Sequence, residues 1–399
     1  MLTLSPASSG EVADAVAGAA AKRLPLAITG LGTKAALGRP AGDRYRLDLS
    51  GLSGISFYEP EELVLSALAG TPLEQIEALL AGRGQELAFE PMSFAALYGT
   101  GWGTIGGAVM AGSSGPRRIK SGGARDFVLG IKAVSGRGEA FKAGGRVVKN
   151  VTGYDLARGL TGSFGTLAVA TEITLKVLPR AETEATLILL GLDAGAGVEA
   201  LCAAMCAPAE VSGAAHLPAL AASVQGFPDS ITALRIEGFE PSVASRLSLL
   251  EGILKGKASM ARLNQSKSKE LWRAIRDVSP LAAPREKIIW KISVAPTEGP
   301  KVAGAVGRAL GSEVLFDWSG GLVWLALDSC RDAAASLIRK AVMASGGGHA
   351  TLVRAPDEIR EKIPVFEPQA PALEAVSRRL KESFDPHGIL EPRRMRAEF

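Results

Sequence analysis

Apolar positions Val12, Ala15, Val16 and Ala19 recur at helical spacing behind a polar start. Ser8 and Glu11 form a capping box ahead of them, so the chain is expected to open with an amphipathic helix. Residues 24–29 are a short apolar run that reads as a buried strand, closed by the turn Gly30-Leu31-Gly32-Thr33-Lys34. Residues 45–49, 55–58 and 63–68 read as further strands. Leu73, Ile76, Leu79 and Leu80 make the core face of a second helix. Thr71 is placed to cap it, Pro72 suits its first position, Glu74 completes the box, and Gly82 and Gly84 stop it.

Residues 85–180 carry glycine-rich segments and end in a strand-like run, 172–178, closed by Pro179. Strands and helices mix without the regular alternation of a doubly wound sheet, so the fold class is α+β. From about residue 181, alanine-rich helical patterns alternate with strand runs such as 288–294 and 322–327, which marks a second domain. A terminal helix over about residues 372–383 runs into Phe384-Asp385-Pro386-His387-Gly388. A length of 399 residues suits two or three domains. The expected division is 1–180, 181–370 and a tail, 371–399. No repeat of solenoid period is present.

Composition narrows the function classes. Apolar content of 47% and charged content of 22% are those of a soluble globular protein. A net charge of +4 argues against a nucleic-acid partner, which calls for a clustered basic face. Cys202 and Cys206 lie four apart, on one face of a helix, and read as a buried structural pair rather than a metal or redox site. With Cys330 they are too few for an iron–sulfur cluster, which needs about four cysteines, so no metal is expected and the pattern fits a reducing compartment. No leader is expected, because the first basic residue is Lys22 and Glu11 and Asp14 interrupt the start. No uncharged apolar run reaches the roughly 18 residues of a spanning helix; the apolar stretch 187–209 is broken by Asp193 and Glu199. A cytoplasmic protein is expected, reaching a membrane only through partners.

The glycines carry the chemistry. Residues 101–123 read G-W-G-T-I-G-G-A-V-M-A-G-S-S-G-P-R-R-I-K-S-G-G, and residues 145–179 are similarly rich. Without a Cβ the backbone can approach a ligand closely, and successive N–H groups in such turns form anion-binding concavities. A phosphate-bearing cofactor is the expected ligand. Gly30 to Lys34 either holds a pyrophosphate or is an ordinary turn. It is not G-x-G-x-x-G, since Ala35 replaces the third glycine, and no G-K-[ST] closes it. Thr104-Ile105-Gly106-Gly107, followed by Gly112, Ser113, Ser114 and Gly115, has so little side-chain bulk that ligand contact is the better reading. Arg117, Arg118, Lys120 and Arg125 are either a solvated basic loop or place Arg118 or Arg125 against phosphate or Asp126.

T-I-G-G-x-x-A-x-x-x-S-G, R-D-x-V-L-G, K-N-V-T-G-Y-D-L and G-S-x-G-T-L together resemble the FAD-binding domain of the vanillyl-alcohol oxidase (PCMH-type) flavoprotein superfamily. Within it, the pattern is similar to the FAD-binding subunits of bacterial glycolate oxidases. Phe89-Glu90-Pro91, Leu271-Trp272-Arg273, Asp317-Trp318-Ser319-Gly320-Gly321 and Gly348-His349-Ala350-Thr351-Leu352 extend the match over nearly the whole chain. The resemblance implies a PCMH-type FAD domain of two α/β subdomains with a C-terminal α+β cap-like domain. It implies that Thr29, Gly30, Leu31, Gly32, Thr33 and Lys34, with Thr104, Ile105, Gly106 and Gly107, hold the pyrophosphate. Ser113, Ser114 and Gly115 would sit by the ribityl chain or flavin, Gly165 and Val169 by the adenosine end, and Pro91 and Arg118 complete the cofactor set. No His precedes residue 216 and no Cys precedes residue 202, so non-covalent FAD is expected.

Departures from the family bear on the activity. Glycolate- and lactate-oxidising relatives carry histidine signatures, H-x-G-D-G-N-x-H and a later E-H-G, and histidine suits the base role because its pKa lies near the operating pH. Here only His216, His349 and His387 occur, none in such a motif; His349 is the one candidate for a flavin-facing base, against a structural role. The family ending D-P-x-G-x-x-N-P-G-R reads Asp385-Pro386-His387-Gly388-Ile389-Leu390-Glu391-Pro392-Arg393-Arg394, so Glu391 and Arg393 replace asparagine and glycine and an altered turn is expected. The resemblance therefore implies a flavin-holding subunit of a multi-subunit glycolate (2-hydroxy-acid) dehydrogenase or oxidase. A catalytic flavoprotein sister subunit would oxidise glycolate to glyoxylate, and an iron–sulfur subunit would pass electrons toward the inner membrane. The alternatives are a stand-alone FAD-dependent hydroxy-acid or sugar oxidase and an assembly subunit with a vestigial flavin site.

Overall fold

The opening helix forms where its cap lies. Ser9–Lys22 begins with the Ser8 hydroxyl accepting the Glu11 N–H at 3.2 Å, while the Glu11 carboxylate accepts the Ala7 N–H at 2.9 Å. Its Val12 and Val16 are fully buried in a core with Leu26, Leu47, Val134 and Val169. The structure, a computed structural model, describes residues 2–40, 42, 44–147 and 153–398; Lys149 to Thr152 of the K-N-V-T-G-Y-D-L segment lie outside them. Leu26–Thr29 and Tyr45–Asp48 pair in parallel, with Thr3–Leu4 on the outer edge. The second helix, Leu73–Ala81, departs from expectation at its start. Thr71 does not cap it; its hydroxyl accepts the Gly54 N–H at 2.9 Å and donates to the Leu68 carbonyl at 2.6 Å, tying two neighbouring loops.

Five antiparallel strands form the next layer, in the order Ile55–Glu59, Val64–Leu68, Ala168–Lys176, Val128–Ser135, Ala140–Gly144. The strand expected at 172–178 starts at Ala168, immediately after the glycine-rich turn. Leu65, Ala67, Ile173 and Leu175 bury against Leu73, Ile76, Ile105 and Val109 of the covering helices. Val134 and Val169 point to the opposite face, toward the opening helix, as strand alternation requires.

A larger antiparallel sheet runs Ser259–Leu263, Thr183–Leu190, Ile231–Gly238, Gly213–Leu217, Glu313–Asp317, Leu322–Leu327, Ile288–Ser293, His349–Arg354. Alternation gives it two buried faces. Trp290, Ile292, Val323 and Leu325 pack under the helices Gly299–Leu310 and Ala335–Ala344. Ile289, Trp324, Leu315 and Ala233 pack toward Met92, Phe94 and Leu97 of the preceding body. The mixed sheets and helices are the α+β fold expected. Cys202 is half-buried and Cys206 is exposed at the C-cap of Ala194–Met205, so the pair is not buried together.

The chain closes by returning to its start. Pro371–Phe384 ends at Asp385, whose buried carboxylate accepts the Lys381 ammonium at 2.6 Å and the Ile389 and Leu390 N–H groups. Leu390 then bridges to Leu26. At the altered turn Glu391 has φ 43° and Arg393 φ 61°, the left-handed region where asparagine and glycine rest with least strain. The Glu391 side chain explains its tolerance there, accepting the Ile28 N–H at 2.7 Å and the Arg44 guanidinium at 2.9 Å. Among the described residues no helix is long and apolar enough to cross a membrane.

Candidate functional site

A cleft of about 410 Å³ lies between the turn after Leu26–Thr29, the helix Ile105–Met110 and the start of Ala168–Lys176. Thr29, Gly30, Leu31, Gly32, Thr33, Lys34, Thr104, Gly106, Gly107 and Gly165 all line it, which brings most of the expected pyrophosphate set together. The two glycine segments play different parts. Among the described residues, the N–H groups of Gly30, Leu31, Gly32, Thr33 and Lys34 have no protein acceptor. Those of Ile105, Gly106 and Gly107 are already used, by the Thr71 carbonyl, the Ala69 carbonyl and the Thr104 hydroxyl. The first turn therefore offers donors and the second positions it. A Cβ on Gly106 would stand 2.6 Å from the Ala69 carbonyl oxygen, and one on Gly30 would stand 2.8 Å from Thr104 Oγ1. Glycine at these points lets the segments approach each other as closely as they do.

The cleft is electrostatically incomplete. Lys34 has no carboxylate partner among the described residues; its Nζ sits 5.5 Å from the Phe94 ring centroid. A Cβ on Gly103 would meet that Nζ at 2.6 Å, so the ammonium lies between the two glycine turns. Burial lowers it to about 8. Arg394 donates to the Lys34 carbonyl at 2.8 Å, and Arg46 donates to Thr29 Oγ1 at 2.9 Å while pairing with Asp48. A run of free N–H groups beside an unpaired buried ammonium fits a dianionic pyrophosphate, and the residues present therefore suit FAD.

The remaining expected residues sit elsewhere. Val169 is fully buried against the opening helix; its neighbours Ala168 and Ala170 line the cleft instead. The Ile105 side chain is likewise in the core. Pro91 is buried. The Ser113 hydroxyl donates to the Ala108 carbonyl, the Ser114 hydroxyl accepts the Ala124 N–H, and the Gly115 carbonyl accepts the Trp318 indole N–H at 3.1 Å. Arg118 does not pair with Asp126, whose carboxylate accepts the Gly123 N–H; its guanidinium lies 4.6 Å from the Trp318 ring centroid. His349 is exposed at the start of an edge strand and is not among the cleft residues. His216 is fully buried, bonded to Thr232 Oγ1 at 2.9 Å and pushed down to about 4 by burial, so it stays neutral as a packing residue. His387 is exposed.

Sequence reasoning missed the charges that join the larger sheet to the first body. Glu90 accepts Arg235 at 2.8 Å and the Arg117 N–H at 2.7 Å, and Arg117 also pairs with Glu237 and Glu86. Burial alone would raise the Glu90 carboxyl, but the two arginines outweigh it and hold Glu90 at about 2. It also missed Lys291. The signal was available, since a lysine within Ile288–Ser293, a strand otherwise buried on both faces, is out of place unless it has a task.

A family model for the FAD binding domain matches residues 2–144. The chain is 35% identical over 376 residues to the glycolate oxidase subunit GlcE of Escherichia coli (strain K12), spanning 94% of each chain. It is 43% identical over 95 residues to the glycolate oxidase subunit GlcD of Bacillus subtilis (strain 168), covering 23% of this chain and 20% of that one. The solved structure of p-cresol methylhydroxylase with substrate bound shares its fold, with a TM-score of 0.77 at 13% identity over 98% of this chain and 88% of that one. Fold and cleft thus define an FAD-dependent oxidoreductase with the PCMH-type architecture. More particularly, the chain belongs to the family of the glycolate oxidase subunit GlcE.

Proposed function

We propose that this chain is the flavin-holding subunit of a multi-subunit glycolate oxidase or dehydrogenase. A sister flavoprotein subunit would oxidise glycolate to glyoxylate, and an iron–sulfur subunit would carry electrons onward at the membrane. The observation that carries the reading is the cleft itself: five successive N–H groups, from Gly30 to Lys34, have no protein acceptor among the described residues, and the Lys34 ammonium beside them has no carboxylate partner among those residues. In this reading residues 1–180 and the returning tail 371–399 hold non-covalent FAD, and 181–370 form the cap. Bound FAD supplies the two-electron redox chemistry. The chain's own work is to bind and orient it: Gly30 to Lys34 grip the pyrophosphate, Thr104 to Gly107 brace that turn, Gly165 leaves room at the adenosine end, and Pro91, Ser113 to Gly115 and Arg118 shape the flavin end. The placing of His216, His349 and His387 away from the cleft supports giving the oxidation step to the sister subunit.

The test is an absorption spectrum of the purified chain, followed by glycolate without partners. Flavin bands released intact by acid, and left oxidised by glycolate, are expected. Bleaching by glycolate would make this chain the oxidase and overturn the division of labour. A colourless protein that cannot be loaded with FAD would leave only an assembly role.

A further inference from the structure

The terminal helix is seated with its polar side inward. Pro371–Phe384 buries its lysine: the Lys381 ammonium donates to the Thr166 carbonyl at 2.7 Å, to the Leu390 carbonyl at 2.8 Å and to Asp385. Glu374 and Ser377 lie half-buried on the same side. The apolar side chains face out instead, with Leu373 53%, Val376 50% and Leu380 43% exposed. Spacings of three and four residues put them on one stripe. Ala372, Arg379 and Ser383 flank that stripe and are exposed as well. A surface helix normally turns such a stripe toward the core. Contiguous exposed apolar surface rimmed by polar residues marks a place where another molecule sits.

The surface continues past the helix. Phe384 carries the stripe onto Phe141, whose ring centroid lies 6.0 Å away on Ala140–Gly144. That strand ends the five-stranded sheet, and its outer edge pairs with no strand among the described residues. A helix of 14 residues is about 21 Å long. Alone it is too narrow for the roughly 800 Å² per partner of a stable interface, so the adjoining edge strand forms part of the surface.

The charges choose the occupant. Arg379 is the one charge set beside these outward apolar residues, near the middle of the helix. A second copy meeting this face about a two-fold axis would bring two Arg379 side chains together in an apolar contact, where like charges repel most strongly. A membrane surface calls for a cationic polar face, whereas Lys381 is turned inward and Glu374 and Glu382 offset Arg378 and Arg379. A protein helix with its own apolar stripe and a carboxylate opposite Arg379 satisfies both stripe and charge.

We infer that Leu373, Val376, Arg379 and Leu380 form the docking face for such a helix of the sister flavoprotein subunit. A flavoprotein of related fold carries a helix in the equivalent place, so the two can pack about a pseudo-two-fold axis with an acid replacing one of the two arginines. The inference rests on the proposed function for the existence of that subunit.

The experiment titrates the purified sister flavoprotein subunit into the purified FAD-loaded chain and reads affinity by calorimetry. An equimolar complex is expected. Leu380→Glu and Arg379→Glu should each weaken it at least about ten-fold. Met343→Glu, at a side chain 76% exposed on Ala335–Ala344, should leave it unchanged. All three positions are exposed, so melting temperature and flavin content should match wild type; Val376→Asp takes the place of Leu380→Glu if that variant melts low. Wild-type affinity in both interface variants, or an equal loss in Met343→Glu, would overturn the assignment. So would a dimer of this chain alone that Leu380→Glu dissolves, pelleting with phosphatidylglycerol vesicles that Leu380→Glu abolishes, or a stripe-dependent complex with the iron–sulfur subunit instead. Those results leave the flavin-holding role intact. A flavin-bearing chain that binds neither subunit would remove the multi-subunit reading, and the docking face with it.

Discussion

Lys34→Met separates the cleft's ligand chemistry from its contribution to folding. The Lys34 ammonium has no carboxylate partner among the described residues, and burial lowers it from 10.5 to about 8. At pH 7 a displaced titration of that size corresponds to an apo-state penalty of up to about 3 kcal/mol, reduced to about 2 kcal/mol by the solvent that still reaches a side chain not wholly buried. Methionine keeps the stem and removes the charge, so apo Lys34→Met should melt no lower than wild type and a few degrees higher. The direction with pH follows from the depressed lysine. Its penalty is fully present below about 8 and disappears as pH rises toward 10.5, so the two melting curves should converge across that window. Binding moves the other way. An ammonium against a phosphate oxygen at about 4 Å gains roughly 4 kcal/mol at an effective dielectric of about 20, of which about 1.5–3 kcal/mol survives as net hydrogen-bonded stabilisation. Titrating FAD into apo protein and following quenching of flavin fluorescence should therefore show about 10–100-fold weaker binding in the variant. Wild-type affinity in a variant that melts normally would refute the placing of Lys34 against the pyrophosphate.

Three further outcomes follow from the charged groups. Arg235→Met leaves Glu90 and Glu237 buried without their strongest partner and should lower stability by about 3–5 kcal/mol; a loss under about 1 kcal/mol in chemical denaturation would contradict the network. Because Glu90 is held at about 2, its contribution is present above the unfolded value of 4.5 and lost as pH falls toward 2, so the same variant should show a flattened acid-unfolding profile. Glu391→Gln removes the carboxylate partner of the buried Arg44 guanidinium, leaving it the Pro40 and Pro392 carbonyls, and should reduce stability by about 3 kcal/mol, with the Ile28 N–H still satisfied by the amide oxygen.

Local pattern made the elements legible. Leu322–Leu327 lies where its apolar run put it, and the opening helix starts at its capping box, because both depend only on neighbours in sequence. The glycine turns were legible for the same reason: a lack of side chains is visible in one dimension. Their division of labour was not. That Gly106 is needed for Ala69 rather than for a ligand depends on which strand the helix meets. That the Val169 side chain packs away from the cleft was not legible, because alternation tells which residues share a face but not which face meets the cleft. The sequence left Arg118 and Arg125 between phosphate and Asp126, whereas the Arg118 guanidinium lies against Trp318, which arrives from 200 residues away. Thr71 had the right residue type for a cap, yet a loop partner took its hydroxyl. Each of these turns on tertiary contact that a single sequence does not contain.

The long-range contacts also say how the larger sheet is tied to the flavin end of the first body. The larger sheet reaches the first body through Trp318 on Gly115, Arg235 on Glu90, Arg117 on Glu237, and Tyr98 on the Val353 carbonyl at 2.7 Å. Glu90 and Gly115 are themselves adjacent, since a Cβ on Gly115 would meet Glu90 atoms at 2.8 Å, and the Gly115 N–H donates to the Phe89 carbonyl. Trp318 is therefore tied to the segment expected at the flavin end by its indole hydrogen bond. Packed interiors transmit small shifts because they have little free volume to absorb them. Replacing Trp318 by phenylalanine, which keeps an aromatic ring but removes the indole donor, should accordingly move the flavin absorption bands of the FAD-loaded chain without loss of flavin. Unchanged bands in Trp318→Phe would refute a link from the larger sheet to the flavin end through this hydrogen bond.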